Sequence, residues 1–256
     1  MTSLMIEQFS CRQDNFGVIL HDSLSGETAS IDAPDGTVIA NELRQHNWLL
    51  THLLVTHHHP DHVEGIPVLV KAYSPTVIGP AAEAARISGL TQTVGDGDTF
   101  EFAGRTVKVI TTPGHTAGHI CFYIPDEELL FAGDTLFALG CGRLFEGSPE
   151  DMFGSITRLG ELPDQTRVYC GHEYTQSNGR FAVTVDPDNE ILAKRMDDID
   201  DMRARGLATL PTTIGLEKRT NPFLRTGDQS IRKQLGMETA DDVEVFAELR
   251  RRKDNF

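Results

Sequence analysis

Hydrophobic residues recur in short runs along the first two thirds of the chain, and Gly, Pro, Asp or Ser bounds each run. Apolar or alternating segments of this kind predict β-strands joined by turns. They occur at residues 15–22, 27–34, 50–57, 98–114, 119–134 and 166–175. The predicted strands occur in groups, and predicted helices lie between the groups. This order favours two sheets stacked face to face with helices outside, rather than a simple doubly wound βαβ sheet.

Apolar residues with the spacing of an α-helix occur between these runs and then dominate the last third of the chain. In the first part this spacing occurs at 41–47, 60–73, 80–89 and 148–162. In the last of these segments, Ser148 can cap the helix and Pro149 takes its first position. Further helical segments follow at 186–206, 228–236 and 240–253. The change near residue 175 predicts two domains, a catalytic domain at 1–174 and an α-helical substrate-binding domain at 175–256.

Composition and charge restrict the class of protein. The chain has 256 residues and a formal net charge of -15, which argues against a nucleic-acid partner because phosphates would be repelled. The N-terminal segment has neither a secretory nor a transit-peptide pattern, and no window approaches a membrane-spanning length. Four cysteines lie far apart without a C-x-x-C motif, which favours small buried residues. We expect a cytoplasmic monomer that binds no membrane.

The segment "VTHHHPDHVEG" at residues 55–65 contains four of the ten histidines. If "LTHLLVT" is a strand, alternate residues beyond it point the same way, so that His57 and His59 can hold one metal ion while His58 faces away. Asp61 and His62 lie on the next turn and can hold a second ion about 3.5–4 Å from the first. The cluster therefore predicts a metal site with two ions.

Three more residues of ligand type follow hydrophobic strands in the same manner. His115 comes after a Pro-Gly turn in "TTPGHTAGH", Asp134 follows a glycine in "LLFAGDTLF", and His172 follows a glycine in "VYCGHEYT". Taken singly, a histidine after a strand is more often a satisfied polar residue than a ligand. Ligands at several strand ends nevertheless converge on one edge of a sheet, and together with the cluster they indicate one site.

The remaining histidines do not follow this pattern. His21, His46 and His52 are assigned to the surface or to packing. His119 lies beyond the candidate ligand His115 and is expected to support the site or the structure rather than to bind metal.

The motifs "THHHPDH", "PGHTAGH", "GDTLF" and "GHEYT" resemble those of the metallo-β-lactamase superfamily, and over its whole length the chain resembles the glyoxalase II, or hydroxyacylglutathione hydrolase, family. The resemblance implies a four-layer αββα sandwich with a C-terminal helical domain. It also implies the ligand assignment. His57, His59 and His115 would hold one ion, Asp61, His62 and His172 the other, and Asp134 would bridge both. Dinuclear lactamases usually have a cysteine in the role of Asp134, so antibiotic hydrolysis is disfavoured.

The chemistry that the resemblance implies is hydrolysis of a thioester. Two cations that share a water lower its pKa to about 7, which supplies a nucleophile at neutral pH. Asp61 can steer or accept the proton, and Asp134 is the second catalytic carboxylate. A thiolate leaves with little help, because thiol pKa values are about 8.5. Among metals that bind imidazole and carboxylate ligands, we expect zinc, and iron or manganese are also suited to them.

The C-terminal tail "ELRRRKDNF" concentrates positive charge in an acidic chain. Arg250 and Lys253 are three apart and share a helix face, although cations at a helix C-terminus can simply complement its macrodipole. The resemblance implies that both residues bind the carboxylate of a glutathione thioester, with Arg143 and Tyr174 adding contacts. At Phe145 some family members have a tyrosine that contacts glutathione, so we expect weaker binding here.

These observations predict hydrolysis of S-D-lactoylglutathione to D-lactate and glutathione, the second step of methylglyoxal detoxification. Two alternatives stay open at this point. One is a related thioesterase or a persulfide dioxygenase with a single iron, which would share the HxHxDH cluster. The other is a metal-dependent module that binds glutathione conjugates without turnover.

Overall fold

The computed structural model describes residues 3–256. The chain falls into two compact units. The first ends at Thr111 and also includes Gly118–Glu127, and the second comprises Thr112–Ala117 and Glu128–Phe256. Among the helices of residues 3–256, none has the length and hydropathy needed to span a bilayer.

The first unit contains a six-stranded sheet whose strands follow chain order. The strands are β1 (Leu4–Cys11), β2 (Asn15–Asp22), β3 (Thr28–Ile31), β4 (His52–Leu54), β5 (Thr76–Pro80) and β6 (Gln92–Val94). The first three pair antiparallel and the remainder pair parallel. Strands β7 (Thr99–Phe102), β8 (Arg105–Thr111) and β9 (Ile120–Ile124) pair antiparallel in the same unit.

Helices of the first unit cover a core that includes Ile19, Leu43, Leu53 and Leu69. They are α1 (Gly36–His46), α2 (Pro60–Val63) and α3 (Ile66–Tyr73). The sequence predicts one helix at 60–73, and the structure divides it at Gly65. A Cβ atom at Gly65 would lie 2.4 Å from the backbone nitrogen of Gly36. This close approach of two backbones brings the junction of α2 and α3 against the start of α1.

The second unit contains the parallel pair β10 (Leu129–Gly133) and β13 (Arg167–Cys170), with β14 (Thr212–Thr213) antiparallel to β13. Strands β11 (Leu136–Phe137) and β12 (Gly140–Cys141) form a short antiparallel hairpin. The helices are α4 (Pro149–Gly160), α5 (Thr175–Val185), α6 (Glu190–Ala204), α7 (Ile214–Thr220), α8 (Gln229–Leu235) and α9 (Asp242–Asp254). Phe181, Phe223 and Phe246 lie in a buried cluster formed by several of these helices.

Most predicted elements are confirmed, and one is wrong. Ser148 caps α4 with a reciprocal bond to Asp151, and Pro149 is its first residue, as predicted. The helix predicted at 80–89 is reduced to a 3₁₀ turn at Ala81–Glu83. The cause is tertiary, because the carboxylate of Glu83 is buried and accepts hydrogen bonds from two other loops of its unit. Strands β1, β5, β6, β11, β12 and β14 and helices α5 and α7 were not predicted.

Candidate functional site

Four of the predicted ligands lie together in the first unit, in the loop that leaves β4. His57 Nε2 is 3.1 Å from His59 Nδ1, so both nitrogens face one point. His59 precedes α2, whose first residue is Pro60. His62 Nε2 lies 3.6 Å from Asp61 Oδ2, and the rings of His57 and His62 are 4.1 Å apart. Imidazole nitrogens and a carboxylate oxygen at these separations are a suitable donor set for divalent metal ions.

His58 points away from this cluster, as predicted. Its backbone N–H and its Nδ1 both donate to Glu83 Oε2, at 2.7 Å each. The other oxygen of Glu83 accepts the N–H of Gly118 at 3.0 Å. Glu83 therefore holds the histidine loop in place. Nothing in its alanine-rich surroundings points to this role in the sequence.

Asp32 holds the imidazole of His62 through its Nδ1 atom. This role was not predicted. Its Oδ2 lies 2.8 Å from His62 Nδ1, and because an ionised carboxylate only accepts, the imidazole must donate from Nδ1. That tautomer leaves the lone pair of Nε2 for a metal ion. Asp32 also accepts the N–H and the hydroxyl of Thr56. Its place directly after β3 is the strand-end pattern that marked the other ligands, so a signal was present.

Asn15 orients Asp61 and is a second residue that was not predicted. Its Nδ2 donates to Asp61 Oδ2 at 3.0 Å and to the Asp61 carbonyl at 3.2 Å. The carboxylate is thereby fixed in direction. His119 is fully buried in the same unit, with its ring 4.9 Å from that of His57. This position suits a supporting residue, which is the role predicted for it.

The other three predicted ligands lie together in the second unit. Asp134 Oδ2 is 3.4 Å from His115 Nε2 and 3.3 Å from His172 Nε2. All three residues are buried. The ring of His115 donates from Nδ1 to the carbonyl of Arg143 at 2.9 Å, which leaves its Nε2 as a ligand atom. One carboxylate oxygen therefore lies close to both imidazoles.

Two glycines permit this arrangement. Gly133 has a φ of 47°, which lets the chain turn sharply between β10 and Asp134. A Cβ atom at Gly142 would lie 2.0 Å from the carbonyl oxygen of Asp134, so only glycine fits there. The strand therefore delivers Asp134 into a loop that is packed too tightly to move freely.

The basic residues predicted to bind substrate also belong to the second unit. Arg250 is buried on α9 and donates from Nη1 to the carbonyl of Cys141 at 2.9 Å. Its Nη2 donates to Asp254 at 2.8 Å, and Arg143 Nε lies 3.8 Å from the same carboxylate. Lys253 donates to Ser177. The two outer arginines of the tail, Arg251 and Arg252, instead bind Glu248 and hold its pKa down to about 2.

Burial lowers the pKa of Lys253 to about 8, and the nearby charges of Arg250 and Arg143 contribute. The three cations therefore lie close enough to repel one another, which an anionic ligand would relieve. Tyr174 stacks on His172 with ring centroids 4.7 Å apart and planes 3° apart. Phe145 is exposed and meets the ring of His115 edge to face at 5.2 Å.

The residues assigned to packing behave as predicted. His21 and His46 stack on the two sides of Trp48, and His52 meets Phe102 edge to face. The four cysteines, all among the described residues, are buried thiols that are not joined in disulfides. Burial raises the pKa of the thiols of Cys11 and Cys141 to about 11, so they remain protonated at neutral pH.

Known proteins resemble this chain along its whole length. A model of the metallo-β-lactamase superfamily matches residues 13–172, and a model described as the hydroxyacylglutathione hydrolase C-terminus matches residues 173–256. A hydroxyacylglutathione hydrolase from Rhizobium meliloti (strain 1021) is 57% identical over 256 residues, which is 100% of both chains. One from Bartonella henselae is 53% identical, covering 99% of this chain and 100% of its own. The crystal structure of ETHE1 from Myxococcus xanthus is 26% identical with a TM-score of 0.67, covering 93% of this chain and 91% of that one.

The chain belongs to the metallo-β-lactamase superfamily and, within it, to the hydroxyacylglutathione hydrolase family. The predicted fold class is confirmed as an α/β metallo-β-lactamase fold with a C-terminal helical domain. The histidine and aspartate clusters of this fold are suited to divalent metal ions.

Proposed function

We propose that the protein hydrolyses S-D-lactoylglutathione and related 2-hydroxyacylglutathione thioesters to the hydroxy acid and glutathione, the second step of methylglyoxal detoxification. One observation carries the proposal. Relatives at 53% and 57% identity, both named hydroxyacylglutathione hydrolase, match the chain over its full length. Their match therefore includes α9, which bears Arg250 and Lys253.

Two divalent ions per chain are proposed, with zinc preferred and iron or manganese also suited to the ligands. His57, His59 and His115 would hold one ion, Asp61, His62 and His172 the other, and Asp134 would bridge them. The donor set fits, because each cluster offers imidazole nitrogens and carboxylate oxygens within about 3–4 Å of one another. The tautomers of His62 and His115, fixed by Asp32 and by the Arg143 carbonyl, leave Nε2 as the ligand atom in both rings.

Bound divalent ions would supply a nucleophile at neutral pH and polarise the thioester carbonyl. The side chains of the protein then have two tasks. Asp61, whose carboxylate is held in direction by Asn15, would steer the water or accept its proton. Asp32 keeps His62 in one tautomer. The thiolate of glutathione leaves without a dedicated acid, because its conjugate thiol has a pKa of about 8.5.

The cations of the second unit would bind the glutathione carboxylates. Arg143, Arg250 and Lys253 provide positive charge in a protein with a net charge of -15, and such local charge is what attracts an anionic substrate. Tyr174, stacked on His172, would contact the substrate beside the metal ligands. Phe145 has no hydroxyl to donate, so we expect weaker glutathione binding than in relatives with tyrosine.

The lowered pKa of Lys253 predicts a pH dependence of KM. Below about pH 8 Lys253 is charged and attracts the substrate, and above it the charge is lost as pH rises. An ion pair near the surface is worth about 1 kcal/mol, so KM should rise about fivefold between about pH 7 and pH 10. The measurement is a series of initial rates on the thioester across this range.

The matched control for this prediction is Lys253→Arg. Arginine stays charged throughout the range, so the rise in KM should be absent in the variant while the pH profile of kcat is unchanged. An equal rise in both proteins would mean that Lys253 does not bind substrate.

A persulfide dioxygenase with one iron and a binding module without turnover remain the alternatives. The full-length hydroxyacylglutathione hydrolase relatives favour hydrolysis over both. Metal removal tests this choice. Treatment with a chelator should abolish thiol release from S-D-lactoylglutathione, and added zinc should restore it. One iron per chain with oxygen uptake on glutathione persulfide would support the dioxygenase, and metal-loaded protein that releases no thiol would support the binding module.

The remaining proposals concern organisation and location. We propose residues 1–174 as the catalytic domain and 175–256 as the substrate-binding domain, in accord with the helices that follow Tyr174. We also propose a cytoplasmic monomer without nucleic-acid or membrane partners. Buried cysteines kept as thiols support the cytoplasmic location, and strong negative charge argues against a nucleic-acid partner.

A further inference from the structure

A second group of metal-ligating side chains lies in the first unit and shares no residue with the ligands described above. It consists of Glu7, Glu42 and His46, each of which offers one ligand atom, and these atoms lie within 4.8 Å of one another. Helix α1 places Glu42 and His46 one turn apart, so both side chains emerge from the same face. Strand β1 supplies Glu7.

The donor set has the chemistry of a site for a divalent transition ion. One imidazole nitrogen and two carboxylates suit zinc or copper, which bind such ligands at about 2.0–2.2 Å. Glu7 and Glu42 are partly exposed and His46 is exposed, so their side chains can close the small remaining distance around an ion. The bond that Glu42 accepts from Gln45 does not exclude a cation, because a carboxylate has about four acceptor positions.

The imidazole of His46 is held in place before any ion binds. Its ring stacks on Trp48 at 4.4 Å with the planes 18° apart. Trp48 packs against the core of the unit and carries His21 on its ring at 4.5 Å. A ring fixed in this way loses less freedom on binding. His46 is also in the last turn of α1, where the helix dipole favours a cation.

We propose that Glu7, Glu42 and His46 form a peripheral binding site for a divalent transition ion such as Zn²⁺ or Cu²⁺, separate from the ligands of the catalytic ions. Water would complete the coordination, because three protein ligands leave open positions. Trp48 is the only tryptophan in the chain. Its fluorescence therefore reports on this site and can be measured without an assay of hydrolase activity.

The test is a titration of the metal-loaded enzyme with Cu²⁺ while Trp48 fluorescence is recorded. We expect saturable quenching in the wild-type protein. Removing a residue that only supports a ligand costs about 10- to 100-fold in metal affinity, and removing a ligand costs at least as much. His46→Asn and Glu42→Gln should therefore each raise the quenching midpoint at least about tenfold. Equilibrium dialysis against Zn²⁺ should find one ion fewer on His46→Asn than on the wild-type enzyme.

His21→Asn is the matched control. It removes the other imidazole that stacks on Trp48 but no ligand, so its quenching midpoint should equal that of the wild type. Thioester turnover should be unchanged in all three variants. Equal midpoints in the wild type, His46→Asn and Glu42→Gln would overturn the proposal and leave His46 as an ion-pair partner of the two carboxylates. Loss of quenching in His21→Asn to the same extent as in His46→Asn would also overturn the ligand set.

Discussion

Replacing Asp134 by asparagine is expected to remove the bound metal and the thioester hydrolase activity together. One oxygen of Asp134 lies within 3.4 Å of both His115 Nε2 and His172 Nε2. Asparagine keeps the shape of the side chain but has no negative charge and only one oxygen. We expect kcat to fall by at least about 10²–10³-fold, the loss that follows removal of one group that stabilises charge in a transition state. Elemental analysis and thiol release measure the two effects on one sample.

A control of equal charge separates this effect from general electrostatics. Asp126→Asn removes one negative charge from an exposed 3₁₀ turn, and metal content and turnover should both be retained. Full turnover in Asp134→Asn would exclude the bridging role. Loss of activity with full metal content would instead show that Asp134 acts on the substrate, not on the ions.

The two groups of candidate metal ligands could be predicted from the sequence because local order places each residue. His57, Asp134 and His172 each follow a buried strand, and the turn after that strand fixes where the side chain points. His57 and His59 lie apart from His58 as predicted, although the structure places all three in the loop after β4 and not on the strand itself. The position of a residue can therefore be predicted from the sequence where it depends only on the strand and turn to which the residue belongs.

Apart from Asp32, which follows a strand as the candidate ligands do, the supporting residues depend on partners far away in the chain, which no local pattern reveals. Glu83 lies in a segment of high helix propensity, and its bonds to His58 and Gly118 override that propensity. The arginines of the basic tail differ in the same respect. Arg251 and Arg252 bind Glu248 within their own helix, whereas Arg250 donates to the carbonyl of Cys141, 109 residues away in sequence.

Asp32→Asn is expected to have the second largest effect, through the tautomer of His62. Asp32 accepts from His62 Nδ1 and, at both oxygens, from Thr56. In asparagine one acceptor becomes an NH₂ donor. If that group faces His62, Nδ1 must become the acceptor and the proton moves to Nε2, which can then no longer bind a metal ion. If it faces Thr56, a buried N–H loses its partner at a cost of about 1–3 kcal/mol.

Metal affinity should therefore fall about 10- to 100-fold in Asp32→Asn, and activity at low metal concentration should fall with it. Excess zinc should restore part of the activity, which a purely structural defect would not allow. Asparagine tolerates the φ of 56° at this position, so backbone strain is not added.

Asp22→Asn is the matched control for Asp32→Asn, because Asp22 is a second buried carboxylate of the same unit and is bound by Ser25 and Arg105. Those bonds stabilise the fold without contacting a ligand, so the control should lower the melting temperature and leave metal affinity unchanged. If both variants lost stability and neither lost metal affinity, Asp32 would be a structural residue and the tautomer of His62 would have to be fixed by other contacts.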